Sequence, residues 1–206
     1  MSDKNTTEAY SRSARKYEIK WKKYLDHTHS KLLAEFESTP EDKILDVSAG
    51  TGLFAEHLIE AGFGFRSMTL NDVSAGMLKL ARDRFSEKGS IHFQCDYAEE
   101  LSFEPNSFDV VVSMNAFHNY AGQEKALEQV QRILKPGGHF YLLDWNRSGF
   151  FRVVNRLIKL SVPEIINTRS ASEAKEMAEG VGLKVESEQE WSYRYWKFFL
   201  IRASKK

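Results

Sequence analysis

The chain has 206 residues, of which 42% are hydrophobic and 28% charged, and its 29 Lys and Arg residues balance 29 Asp and Glu residues. This composition predicts a packed domain and excludes global disorder. Zero net charge disfavours nucleic acid as the main partner. Because Cys95 is the single cysteine, a disulfide and a cysteine-based zinc site are excluded, and we predict no metal and a reducing, cytoplasmic location. We expect neither a secretory signal nor a membrane span.

Apolar and aromatic residues recur at three- and four-residue spacing near the start of the chain. This pattern predicts a helix over Thr6–Phe36, closed by Pro40. We therefore divide the chain into an N-terminal helical cap, residues 1–40, and a main domain, residues 41–206. His27 and His29 are expected to be surface residues of the helical segment.

The rest of the chain alternates between strand and helix patterns. Strands are predicted at Lys43–Val47, Ser67–Leu70, Ile91–Cys95, Phe108–Met114, His139–Leu143, Lys184–Glu190 and Tyr195–Ile201. Helices are predicted at Gly52–Ala61, Ser74–Ser86, Gln123–Leu134, Phe150–Leu160 and Ser170–Gly180. The alternation predicts a doubly wound α/β fold with a seven-stranded, mostly parallel sheet. The short link between the last two strands predicts an antiparallel hairpin at one side.

The loop after the first strand, Asp46–Gly52, carries the strongest chemical signal. Ligands of open α/β sheets bind beyond the carboxyl ends of the strands. The stretch Gly50–Ala55 also fits the dinucleotide pattern G-x-G-x-x-A, so the loop alone leaves NAD and S-adenosylmethionine (SAM) open. Asp46 favours SAM, because a carboxylate repels a pyrophosphate and attracts a sulfonium and an amino group.

Two more carboxylates follow neighbouring strands. Asp72, after the second strand, is suited to accept hydrogen bonds from ribose hydroxyls, and it is also a plausible acid before the helix that starts near Ser74. Asp96, after the third strand, is suited to accept from an adenine amino group, with Tyr97 covering the ring.

Five segments carry a resemblance to a known family. In chain order they read ILDVSAGTG, LNDVSAGML, CDYAEELSF, NSFDVVVSMNAFHNY and RILKPGGHFYLLDW. Together they resemble class I SAM-dependent methyltransferases of the ubiquinone/menaquinone-biosynthesis type (methyltransferase type 11-like). Their order and their position at strand ends make the match specific. The resemblance implies a Rossmann-like fold, SAM as cofactor and S-adenosylhomocysteine as product.

The resemblance also implies a set of cofactor-binding residues. They are Tyr17, Asp46, Ser48, Ala49, Gly50, Gly52, Asp72, Val73, Met77, Asp96, Tyr97, Ala98, Asn115 and Phe117. Ser48 stands where the family usually has a glycine. We therefore expect either a negative φ at Ser48 or a rearranged loop.

Methyl transfer requires mainly alignment and a dry pocket, and a base only where the nucleophile holds its proton tightly. His118 and Tyr120 are the predicted catalytic residues. The basic, amphipathic segment 150–160 suggests a lid, a contact with an anionic membrane or a helix packed on the sheet. We expect a small acceptor, apolar or lipid-like. An NAD-dependent reductase and a catalytically silent SAM-binding partner protein stay open as alternatives.

Overall fold

A computed structural model describes residues 2–149 and 166–206; for residues 2–17 it describes the backbone alone. The side chain of Tyr17 and the predicted helix at 150–160 lie outside the described parts. The first helix, α1, spans Ser2–Leu33 and is therefore longer at its start and shorter at its end than predicted. No described helix has an apolar stretch that would cross a lipid bilayer.

The described strands form one sheet with the order β3-β2-β1-β4-β5-β7-β6. Their bounds are β1 Lys43–Val47, β2 Ser67–Asn71, β3 Ile91–Gln94, β4 Phe108–Met114, β5 Leu134–Trp145, β6 Leu183–Tyr193 and β7 Trp196–Lys205. Strands β1 to β5 are parallel, and β7 pairs antiparallel with both β5 and β6. The predicted seven-stranded sheet with a C-terminal hairpin is confirmed.

Short helices connect the parallel strands. They are α2 Leu53–Glu60, α3 Ala75–Arg84, α4 Gln123–Ile133 and α5 Ala171–Gly180, with a 3₁₀ turn at Phe117–Asn119. The hydroxyl of Ser74 accepts from the amide of Met77 and so caps the start of α3. Ser170 and Glu173 form a capping box at the start of α5.

Strand β5 starts earlier than predicted. The residues Lys135–Gly138 lie between the predicted helix and the predicted strand His139–Leu143, and they belong to the strand. The register with β4 shifts here, since Phe108 pairs with Leu134 and Val110 pairs with His139. Gly138 allows the close approach, because a Cβ at this position would lie 2.8 Å from the carbonyl oxygen of Asp109.

Apolar side chains cover both faces of the sheet. One cluster packs α4 and α5 against the sheet around Phe140 and Phe199. The other packs α1, α2 and α3 around Tyr141 and Phe198. Parallel sheets are typically buried on both faces. Helices therefore cover this sheet, and a ligand can approach it at the carboxyl ends of β1 to β4.

Candidate functional site

A cavity of about 1140 Å³, counted to its open mouth, lies at the carboxyl edge of β1 to β4. The predicted residues that line it are Asp46, Ser48, Ala49, Gly50, Asp72, Val73, Met77, Asp96, Tyr97, Ala98, Asn115 and Tyr120. Residues from four different strand ends therefore meet in one place, as the parallel topology requires.

The loop after β1 turns sharply through left-handed backbone angles. Ser48 has φ 65°, Gly50 has φ 57° and Gly52 has φ 77°. The expectation of a negative φ at Ser48 is therefore wrong. The serine keeps the left-handed conformation that a glycine would adopt easily, at a backbone cost of about 1–2 kcal/mol.

A side-chain hydrogen bond accompanies this strained backbone. The Ser48 hydroxyl lies 3.0 Å from the Tyr120 hydroxyl, which also lies 2.9 Å from the hydroxyl of Ser113. Tyr120 is buried and burial raises its pKa, so its hydroxyl stays protonated at neutral pH. Tyr120 therefore links the loop after β1 to the end of β4, and the geometry favours a positioning role over the predicted catalytic one.

Asp46 and Asp72 form a pair of buried carboxylates in the cavity wall. Asp72 accepts from the amides of Gly50 and Ser74, each at 2.8 Å. Among the described residues, the Asp46 carboxylate has no hydrogen-bond partner, although its side chain is buried. Burial and the nearby charge of Asp72 raise the pKa of Asp46, and burial also raises the pKa of Asp72. A cation bound between them would stabilise both charged forms.

The third carboxylate lies at the end of β3. Asp96 accepts from the side chain of Gln94 at 2.9 Å and from the amide and hydroxyl of Ser102 at 2.9 and 2.6 Å. These hydrogen bonds lower its pKa although burial opposes them. Tyr97 is partly exposed beside it, while Ala98 is buried. The predicted adenine-binding residues are therefore together at the rim, next to Met77.

Asn115 ties the N-terminal helix to the end of β4. Its side-chain oxygen accepts from the Tyr24 hydroxyl at 2.8 Å, and its amide donates to the Thr28 hydroxyl at 2.9 Å. Trp145 in turn donates to the Tyr24 hydroxyl at 2.7 Å. Asn115 has φ 56°, a backbone angle that asparagine tolerates better than most residues. Helix α1 thus forms part of the cavity wall.

Three predicted residues do not line the cavity. Phe117 is buried in the core beneath it. Gly52 is packed against α3, because a Cβ there would lie 2.8 Å from the Phe85 ring. His118 is buried, with Nδ1 2.6 Å from Asp144 and its ring stacked on Trp145 at 3.9 Å. The structure gives His118 a partner that the sequence did not reveal, but it does not support proton transfer from an acceptor by this residue.

Other cavity residues were not predicted. They are Leu25, His29, Thr51, Leu53, Phe54, Ser74, Glu99, Met114, Ala116, Asn119 and Ala121. His29 is the most informative of them, because it was expected at the surface and is only 3% exposed. Its position four residues after Leu25 places both on one face of α1, a signal that was present in the sequence.

Comparisons with known proteins find similarity to methyltransferases. Residues 45–142 match the family described as "Methyltransferase domain". The chain is similar to the ubiquinone/menaquinone biosynthesis C-methyltransferase of Stenotrophomonas maltophilia, with 34% identity over 130 residues, 61% of this chain and 48% of the relative. The chain thus spans about half the length of the curated relatives that it matches.

Solved structures share the fold. One is a chain from the Haloferax volcanii complex between the Trm112 methyltransferase activator and a protein described as a methyltransferase, with 22% identity, 96% of each chain covered and a TM-score of 0.83. Another is phosphoethanolamine N-methyltransferase 2 of Haemonchus contortus, in complex with phosphomonomethylethanolamine and S-adenosylhomocysteine. It has 19% identity and a TM-score of 0.72, over 87% of this chain and 52% of that one.

The fold is that of class I SAM-dependent methyltransferases, and carboxylates line its cavity. The match over residues 45–142, 98 of the 206 residues, makes this part of the chain similar to methyltransferase domains. The match and the buried carboxylates support SAM as the cofactor and do not favour the predicted alternative of NAD.

Proposed function

We propose that this chain transfers the methyl group of SAM to a small, neutral and largely apolar acceptor by in-line displacement. One observation carries the proposal: Asp46 is buried in the cavity wall beside Asp72, without a partner among the described residues. No lysine or arginine of the described residues lines the cavity. This charge pattern supports a cationic ligand and disfavours a pyrophosphate.

The described residues are suited to hold the cofactor along the strand ends. Asp72 retains free lone pairs for the ribose hydroxyls beside its two backbone donors. Asp96, Ala98 and Met77 all line the cavity, and we assign the adenine ring to them. Asp46 is placed to pair with the amino group. The sulfonium supplies an activated methyl group, so the protein has to supply alignment and exclusion of water.

We assign the acceptor to the mainly apolar part of the lining that α1 and the end of β4 contribute. Leu25, Met114, Ala116 and Ala121 form it together with the polar side chains of Asn119 and Tyr120. Neither predicted catalytic residue is suited to act as a base, because His118 lies outside the lining and burial raises the pKa of Tyr120. This supports an acceptor whose nucleophilic atom loses its proton easily or after transfer.

The proposal is tested by release of S-adenosylhomocysteine from SAM in the presence of quinone-like, lipid and amine acceptors. We expect turnover with at least one neutral acceptor and its loss in Asp46→Asn. SAM binding without turnover across the whole panel would instead support the silent SAM-binding alternative. We also propose that residues 1–40 form a cap separate from the main domain. A membrane contact through residues 150–160 is a further proposal, and these residues lie outside the described parts of the structure.

A further inference from the structure

The cavity contains a second buried polar group that the proposed chemistry has not used. His29 extends from α1 into the cavity wall and is 3% exposed. Its Nδ1 lies 2.9 Å from Nδ1 of His57. Among the described residues, its other ring nitrogen, Nε2, has no hydrogen-bond partner, and Nε2 is not fully enclosed by protein either. Nε2 is therefore available to a ligand.

The surroundings of His29 define its protonation state. Burial and, to a smaller extent, the charge of His57 lower the pKa of His29 to about 3, although the charge of Asp26 opposes this shift. His29 is therefore a neutral imidazole at neutral pH. When His57 donates from Nδ1, Nδ1 of His29 is the acceptor and its proton resides on Nε2. In this tautomer, Nε2 of His29 is a hydrogen-bond donor towards the cavity.

The start of α2 lies next to His29. Leu53 and Phe54, the first residues of this helix, line the same cavity, and the Phe54 ring meets the His29 ring edge-on at 5.7 Å. The helix has no side-chain cap at its N-terminus. Its first amide groups and its dipole attract a negative charge to this part of the cavity.

We propose that His29 is a cofactor-binding residue that donates a hydrogen bond from Nε2 to the α-carboxylate of SAM, with His57 as the positioning residue. The methionine end of SAM is a zwitterion, so it needs an anion for its amino group and donors for its carboxylate. Asp46 is placed for the first role. Since the described lining contains no lysine or arginine, the carboxylate needs neutral donors, and His29 and the start of α2 provide them.

The role of His29 rests on SAM being the cofactor, and the following test separates failure of that role from failure of the cofactor assignment. Calorimetry compares SAM with decarboxylated SAM, which keeps the sulfonium and the amine but lacks the carboxylate. For His29→Ala we expect about tenfold weaker binding of SAM, as for a lost hydrogen bond to a charged group, and nearly unchanged binding of decarboxylated SAM. His57→Phe should weaken SAM binding in the same selective way, and His29→Gln, which keeps a donor, should restore part of the affinity.

His27→Ala is the matched control on the same helix, because His27 accepts from Trp191 and does not line the cavity. It should bind both ligands as the wild-type chain does. If His29→Ala weakens the binding of both ligands equally, the carboxylate assignment alone is overturned. The same holds if His29→Ala and His29→Gln both fold and neither loses affinity for SAM. Failure of the wild-type chain to bind SAM would overturn the cofactor assignment and this inference with it.

Discussion

The hydroxyl groups of Ser48 and Tyr120 lie 3.0 Å apart although the residues are 72 positions apart in sequence. This contact fixes the cofactor loop in a left-handed conformation that serine ordinarily avoids. Removing the strain and removing the hydrogen bond are therefore separable by substitution. Ser48→Gly loses both, whereas Ser48→Ala loses the hydrogen bond and keeps the strain.

Ser48→Gly should change the free energy of unfolding by less than about 1 kcal/mol, since the lost hydrogen bond and the relieved strain offset each other. Ser48→Ala should be less stable than Ser48→Gly by about 1 kcal/mol. Urea unfolding of both variants measures the difference. An alanine variant as stable as the glycine variant would mean that the loop relaxes and that its backbone is not held in the left-handed region.

Tyr120→Phe should destabilise the protein by about 1–3 kcal/mol, because it leaves the hydroxyls of Ser48 and Ser113 without their shared partner. SAM affinity should fall with it, since the loop loses its link to β4. Thermal unfolding and calorimetry measure the two effects. Tyr195→Phe is the control, because Tyr195 is 57% exposed and should change neither quantity.

Asp46→Asn should raise the stability of the ligand-free protein at neutral pH and weaken SAM binding by at least about tenfold. The pKa of Asp46 is raised in the folded state by burial and by Asp72, so the folded state binds its proton more tightly than the unfolded state does. This group therefore costs stability as pH rises from about 3.9, the unfolded pKa, through the higher folded pKa.

The stability difference between Asp46→Asn and wild type should accordingly shrink as pH falls towards about 4, where the unfolded state also begins to take up the proton. Thermal unfolding of ligand-free protein across pH 4 to 7, with ~1 °C precision in Tm, follows this difference. The exposed residue Asp83 offers a control, since Asp83→Asn should shift stability little at any of these pH values. A difference between Asp46→Asn and wild type that stays constant with pH contradicts the raised pKa.

Gly52→Ala should be strongly destabilising. The new Cβ would lie 2.8 Å from the Phe85 ring and 3.0 Å from Leu70, at a backbone φ of 77°. Gly62→Ala is the matched control, since Gly62 has φ 83° but open space around it. We expect about 1–2 kcal/mol for Gly62→Ala from the backbone alone and about 1–3 kcal/mol more for Gly52→Ala from overpacking. Equal losses would show that the helix moves to admit the methyl group.

His118→Gln tests the catalytic role that the sequence suggested. Because His118 bonds to Asp144 and stacks on Trp145 outside the cavity lining, we expect a loss of about 1–3 kcal/mol in stability. SAM affinity and the pH profile of methyl transfer should stay close to those of the wild type at a temperature where the variant is folded. Loss of an ionisation from the pH profile would restore His118 as a base.

The elements that the sequence predicted best are those governed by local pattern. Lys43–Val47 and Phe108–Met114 were predicted with their observed bounds, because runs of β-branched and apolar residues between turn signals are typical of buried parallel strands. The carboxylates at the ends of β1, β2 and β3 followed from topology, since parallel strands bring their carboxyl ends to one edge.

Long-range contacts account for what the sequence did not reveal. The hydroxyl of Ser48 contacts Tyr120, and Nδ1 of the buried His29 contacts His57 on another helix. The many lysines of α1 favour a surface position for His29, although its spacing from Leu25 indicates the inner face. The structure likewise revealed that His118 faces Asp144 and not the cavity.

We expect the buried carboxylates at this sheet edge to bind SAM and not a pyrophosphate-containing cofactor. Calorimetry of the wild-type chain with SAM and, separately, with NADH tests it most directly. We predict saturable binding of one SAM per chain, lost or strongly weakened in Asp46→Asn, and no binding of NADH. Tight binding of NADH with no binding of SAM would contradict the account.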